Sequence, residues 1–210
     1  MATHYVEPPP SPRLTRSIVR MNASQYHRML EQGIIPEDAS TELLNGIIVH
    51  KDRSDSGGDP IGHGPRHRLI VRLLARLVLR IDSSDRHLQI QLPIRLSLIS
   101  EPEPDGAVIL GSDRQFADDL PGAEHVASVI EVADSSLERD AEEKHRAYAG
   151  AGIPQYVIVN LRENKLEIHS APEPAVGRYA SIRRAGKGET FELHLGGGRF
   201  LEIAADDLLP

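Results

Sequence analysis

Three polar side chains interrupt otherwise apolar segments, and their types suit hydrolysis of a phosphate ester. Glu131 stands alone in VASVIEVADSS, residues 126–136, among Val129, Ile130, Val132 and Ala133. That composition predicts a strand covered on both faces. An isolated buried carboxylate costs several kcal/mol, about the stability margin of a small domain, so Glu131 needs a cation, a metal ion or a proton. A buried ion pair with an arginine is the plain structural alternative. Asp105 opens the neighbouring apolar run PDGAVIL. An aspartate at a strand end is commonly a turn former. Two strands that each deliver a carboxylate, however, make a donor set for a hard divalent cation such as Mg²⁺, which prefers oxygen ligands and keeps several waters. Lys144 lies in SSLERDAEEKHRAYAGAG. At 100° per residue Leu137, Ala141 and Tyr148 share one helix face, with Lys144 in its middle and Asp140 at its edge. The lysine therefore points inward. It can snorkel along the apolar surface or pair with Asp140 at i, i+4. It can also orient or deprotonate a water and offset charge at a phosphate, with Asp140 positioning it. Two carboxylates and an inward lysine suit metal-assisted phosphodiester hydrolysis.

The elements that must hold these groups are legible in outline. Asn22 followed by Gln25 has capping-box spacing, and Gly33 closes a short helix. TELLNGIIVHK places Asn45-Gly46 between apolar runs, a two-residue hairpin signal, with Glu42 at its start. DRSDSGGDPIGHGP predicts a mobile loop near residues 52–65. In RHRLIVRLLARLVLRI, arginines at 68, 72, 76 and 80 form one seam on a helix expected to be packed around most of its circumference. The seam is either solvated or faces phosphates. HLQIQLPIRLSL alternates and predicts a long strand, with Pro93 marking an edge or a bulge. PDGAVIL, ASVIEVA and IPQYVIVNL predict three more strands, and KLEIHSA begins a C-terminal run of short ones. Ser135 and Glu138 have capping-box spacing for the helix between the third and fourth. The sum is an α/β or α+β domain, a mixed sheet with two main helices.

A chain of 210 residues, 40% hydrophobic, supports one domain with a substantial core. Residues 1–16 contain EPPPSP and are expected to be a loose tail, leaving 17–210 as the folded domain. With 31 acidic against 24 basic residues the formal charge is −7, so contact with phosphates must be local. Without cysteine, disulfide scaffolds and thiolate metal sites are excluded, which fits a cytoplasmic setting. The N-terminus lacks the apolar core of a signal peptide, and no stretch reaches the ~20 apolar residues of a membrane span.

Several of these stretches resemble the Uma2-type endonucleases of the PD-(D/E)xK nuclease superfamily: TELLNG, the histidine of PRHRLIV, IQLPIRLS running into SEPEPDGAVIL, and VIEVADSSLERDAEEKHRAYAGAGIPQY. The resemblance implies a restriction-endonuclease-like core that cuts DNA with Mg²⁺ or Mn²⁺. It places Asp105 as the aspartate of the PD motif and Glu131 as the acid of the second half-motif. The superfamily's usual lysine position is Ala133 here; the Uma2-like variant takes its lysine from the next helix, which matches Lys144. Glu42 matches an acidic residue of the N-terminal hairpin, and His67 a histidine before the arginine-seamed helix, where capping is its plain role. Gln155, Tyr156, Val157 and Asn160 stand where the family commonly has Glu-Tyr-Trp and then an aspartate, a departure that bears on support of the site or on an oligomer contact. Gln91 lies on the strand before the PD motif, within reach of the site. Arg66 and Arg68 are candidate phosphate contacts, so binding should weaken with salt. Two-fold cleavage suits a homodimer, for which the helix over 69–81 offers apolar surface. The rival readings are a non-catalytic binding or regulatory module on the same fold, and a phosphoesterase acting on RNA or small substrates. The catalytic reading carries the expectation that Asp105→Ala or Lys144→Ala leaves the fold intact while cleavage is lost.

Overall fold

The structure, a computed structural model, describes residues 18–36, 39–51, 64–133 and 138–210, the side chains of 138–141 excepted. The expected tail, most of the loop near 52–65, the Ser135 cap, and the side chains of Leu137, Asp140 and Ala141 lie outside the described residues.

Helix α1, Ala23–Glu31, begins with the expected capping box: Gln25 N donates to Asn22 Oδ1 and Asn22 N to Gln25 Oε1, both 2.9 Å. Strands β1, Thr41–Leu44, and β2, Ile47–His50, pair antiparallel through Asn45 and Gly46, at φ 49° and 78°. Both central residues are in the left-handed region, as a type I′ turn requires. Helix α2, Pro65–Ile81, has proline in its first turn, where no amide donor is needed. It buries Ile70, Leu74, Leu77 and Ile81, a single stripe, while the four seam arginines are exposed and so is Leu79. The expected near-complete packing of this helix is therefore corrected: its outer face is open.

The long strand expected across residues 87–98 is also corrected. Strand β3 covers only Arg86–Gln89. Gln91 adopts φ 49°, Pro93 has no amide to donate, and the chain leaves the sheet to lie against the hairpin, where Glu101 N donates to Leu43 O (2.8 Å) and Gly46 N to Ile99 O (2.7 Å). It returns as β4, Gly106–Leu110, and β5, Val126–Ala133. Helix α3, Glu138–Gly150, follows, then β6, Gln155–Asn160; β7, Lys165–Glu173; β8, Arg178–Ala185; β9, Thr190–Gly196; and β10, Arg199–Ala204.

The main sheet runs β3-β4-β5-β6-β7-β8. Its one parallel pair is β5 with β6, joined by α3, because a parallel neighbour requires a crossover that a tight turn cannot make. Helix α2 and the β9-β10 hairpin cover one face, where Ile70 and Leu74 belong to a core with Val108, Ile130, Val157, Leu193 and Ile203. On the other face, Tyr148 and Ala149 of α3 pack with Ala107, Val129 and Tyr156. Successive side chains of a strand alternate faces, so Glu131 shares the α3 side with Val129. Among the described residues no helix is long and apolar enough to cross a membrane.

Candidate active site

Strand register brings the two carboxylates together. Gly106 pairs with Ile130 across the antiparallel β4-β5 ladder, which sets the preceding Asp105 beside Glu131. Asp105 Oδ2 accepts from the backbone N of Val132 at 2.9 Å, locking the aspartate to the partner strand. Its Oδ1 is 3.0 Å from His67 Nε2 and accepts from Gln91 Nε2 at 3.3 Å. His67 is thus turned into the site. The cap of α2 is Gly64, whose residue type offers no side-chain acceptor. Gln91 reaches Asp105 from a backbone conformation that only a few per cent of non-glycine residues adopt.

Lys144 arrives from α3, the connection between the strands that it serves. Its Nζ donates to Glu131 Oε1 at 3.0 Å and lies 3.1 Å from Glu42 Oε1. Glu42 comes from β1, and its Oε2 accepts from Glu103 N at 3.0 Å. The side chains of Glu42, Asp105, Glu131, His67 and Lys144 are each 14% exposed or less. Tyr148, one helical turn beyond Lys144, donates its hydroxyl to Glu131 Oε1 at 2.7 Å. Sequence reasoning used Tyr148 only to mark the inward face. The available signal was that a buried tyrosine hydroxyl usually finds a polar partner, and Glu131 was the nearest one in need.

Burial and neighbouring charge set the protonation states. Burial raises Glu131, and the charges of Asp105 and Glu42 add to it; Lys144 and the Tyr148 hydroxyl oppose them, leaving Glu131 at about 7. Burial alone would drive the Lys144 ammonium to lose its proton, but Glu131 and Glu42 outweigh it and hold Lys144 well above the ordinary lysine value. Lys144 is accordingly a fixed cation. Burial raises Asp105 too, yet the hydrogen bond and charge of His67, the Val132 amide and Lys144 bring it below the ordinary aspartate value.

Two glutamates therefore share the Lys144 ammonium, and Asp105 adds a third carboxylate across the strand pair. Among the described residues, no cluster of three or more His, Cys, Asp or Glu side chains forms a metal cage. Mg²⁺ seldom uses one; it takes one or two carboxylates and keeps water for the rest. Asp105 and Glu131, adjacent across two strands, meet that requirement, and the donor set fits a hard divalent cation.

The remaining positions fall elsewhere. Arg66 and Arg68 are exposed on the first turn of α2, flanking His67. Asp140 is on α3, its side chain outside the described residues. Gln155 is buried away from these groups: its Oε1 accepts from His194 N (2.9 Å) and Ser128 Oγ (3.2 Å), and its Nε2 donates to Glu192 O (2.9 Å). It fastens β9 to the main sheet, which a glutamate could not do on the donor side. Val157 is fully buried in the α2-side core. Asn160 accepts from Glu163 N and donates to Glu167, holding the β6-β7 turn.

The model of the Uma2 family, described as "Putative restriction endonuclease", matches residues 23–203. A solved structure described as "a putative nuclease belonging to DUF820" from Anabaena variabilis ATCC 29413 aligns at a TM-score of 0.63 and 13% identity, over 86% of this chain and 96% of that one. At that identity the likeness is one of fold, the same mixed α+β arrangement. Nothing among the curated proteins matches.

Proposed function

Because this chain belongs to the Uma2 family, whose description reads "Putative restriction endonuclease", we propose that it is a divalent-metal-dependent DNA endonuclease working at the cluster of Asp105, Glu131, Lys144 and Glu42. The observation that carries this reading is the single lysine ammonium held between two buried glutamates on the strand face that Asp105 shares. An architecture needing only stability would do better with apolar side chains of the same volume.

Asp105 and Glu131 would hold Mg²⁺ or Mn²⁺, which supplies water activation and charge neutralisation. The protein's own groups do the rest. Lys144, permanently charged, donates to Glu131 and stands ready to offset negative charge that builds on a phosphate. The Tyr148 hydroxyl fixes the orientation of Glu131. His67 and Gln91 hold Asp105 Oδ1, the Val132 amide holds Oδ2, and Glu42 fixes the lysine from the hairpin side. Arg66 and Arg68 extend outward from this point as contacts for the backbone phosphates of the substrate.

Plasmid nicking tests the proposal. With Mg²⁺ or Mn²⁺ the wild type should convert supercoiled plasmid to nicked and linear forms. Asp105→Asn and Glu131→Gln should lower the rate at least about a hundredfold while far-ultraviolet circular dichroism stays native. A wild type inert with both metals, or variants that cut as well as it does, would remove the catalytic reading.

A further inference from the structure

Glu42 borders a second feature. It also lines a pocket of about 380 Å³ between α1, the β1-β2 hairpin and the segment that leaves the sheet after β3. That volume is within the ~300–1,000 Å³ of small-molecule sites. We propose that this pocket seats one unpaired nucleobase, so that the nucleic acid cut here presents a base out of its stack next to the bond being hydrolysed. The inference rests on the nuclease reading for its natural ligand.

The lining is divided as a nucleobase requires. Tyr26, Leu30 and Leu120 supply flat or apolar wall, and the Tyr26 hydroxyl is tied to Thr41 O at 3.0 Å, which fixes the ring. The polar part contains Ser40, Lys51 and Glu103. Lys51 and Glu103 form an ion pair, so a strong donor sits beside a strong acceptor. The edge of a nucleobase offers the complementary juxtaposition, ring or carbonyl acceptors next to amino or imino donors. Adjacency to the cluster follows from Glu42, whose Oε1 contacts Lys144 while the residue also lines the pocket. Enzymes that act on extruded nucleotides read them by stacking and by edge contacts.

The test needs neither metal nor cleavage. Saturation-transfer NMR is run on the full-length wild type with the four deoxynucleosides, and with deoxyribose as the control that lacks a base. Transfer to the bases and none to deoxyribose is expected. Leu120→Trp, which adds bulk to the pocket wall, should abolish transfer. Absence of transfer for every nucleoside, or undiminished transfer in Leu120→Trp, would overturn the proposal. Nucleoside binding by a protein that cuts nothing would count against the nuclease reading alone; cleavage without nucleoside binding would count against the pocket alone.

Discussion

Lys144 and Glu42 meet at 3.1 Å although one comes from the helix after β5 and the other from the N-terminal hairpin. With the Glu131 contact, this makes the lysine the cation shared by two buried acids. Its removal has a structural consequence that the sequence did not suggest. Lys144→Ala leaves both carboxylates without their ammonium and should destabilise the fold by about 3–5 kcal/mol, against the expectation of an intact fold. The double variant Lys144→Met, Glu42→Gln should regain part of that loss. Urea unfolding followed by circular dichroism measures both; equal midpoints for wild type and Lys144→Ala would refute the shared-cation account.

His169 gives a pH dependence. Burial, reinforced by His145, pushes its imidazole down to about 4 from the ordinary 6.5. The folded state therefore resists protonation more than the unfolded chain does. The associated stability is complete above pH 6.5 and is lost as pH falls through 4, amounting to roughly 3 kcal/mol. Glu131, raised from 4.5 to about 7, acts in the opposite sense: its contribution is lost as pH rises through that interval. Comparing wild type with His169→Phe isolates the first effect. The variant should lose less stability between pH 6.5 and 4; parallel curves would show that His169 is not the group responsible.

Gln155 uses its amide in both directions, accepting from His194 N and donating to Glu192 O. Gln155→Glu keeps the acceptor but sets a carboxylate oxygen against a carbonyl. A loss of about 1–3 kcal/mol is expected, with β9 amides exchanging hydrogen sooner than those of β5. Uniform exchange across the sheet would argue against a local fastening.

Gly46 combines φ 78° with a close approach: an added Cβ would lie 2.6 Å from Arg20 Cβ and 3.0 Å from Met21 O. Gly46→Ala should destabilise by at least about 1–2 kcal/mol through the left-handed backbone alone. Since the hairpin carries Glu42, cleavage should fall along with thermal stability. Retained stability would mean that the turn can rearrange.

Features governed by neighbours in sequence were legible in the sequence. The Asn22-Gln25 cap and the Asn45-Gly46 turn are complete within a few residues, and the inward aim of Lys144 follows from helix geometry. Glu131 announced itself because a carboxylate inside a β-branched run has no cheap solution. The departure of the chain from the sheet after Gln89 was not legible. Alternation predicts that a segment can be a strand, whereas pairing depends on whether a partner edge is present, and residues 91–105 bond largely among themselves and, at Ile99 and Glu101, to the hairpin instead. The duties of Tyr148 and Gln155 were hidden for the same reason. A side chain's type tells how many hydrogen bonds it must make; only the folded arrangement, in which distant segments exclude water together, decides which atoms make them.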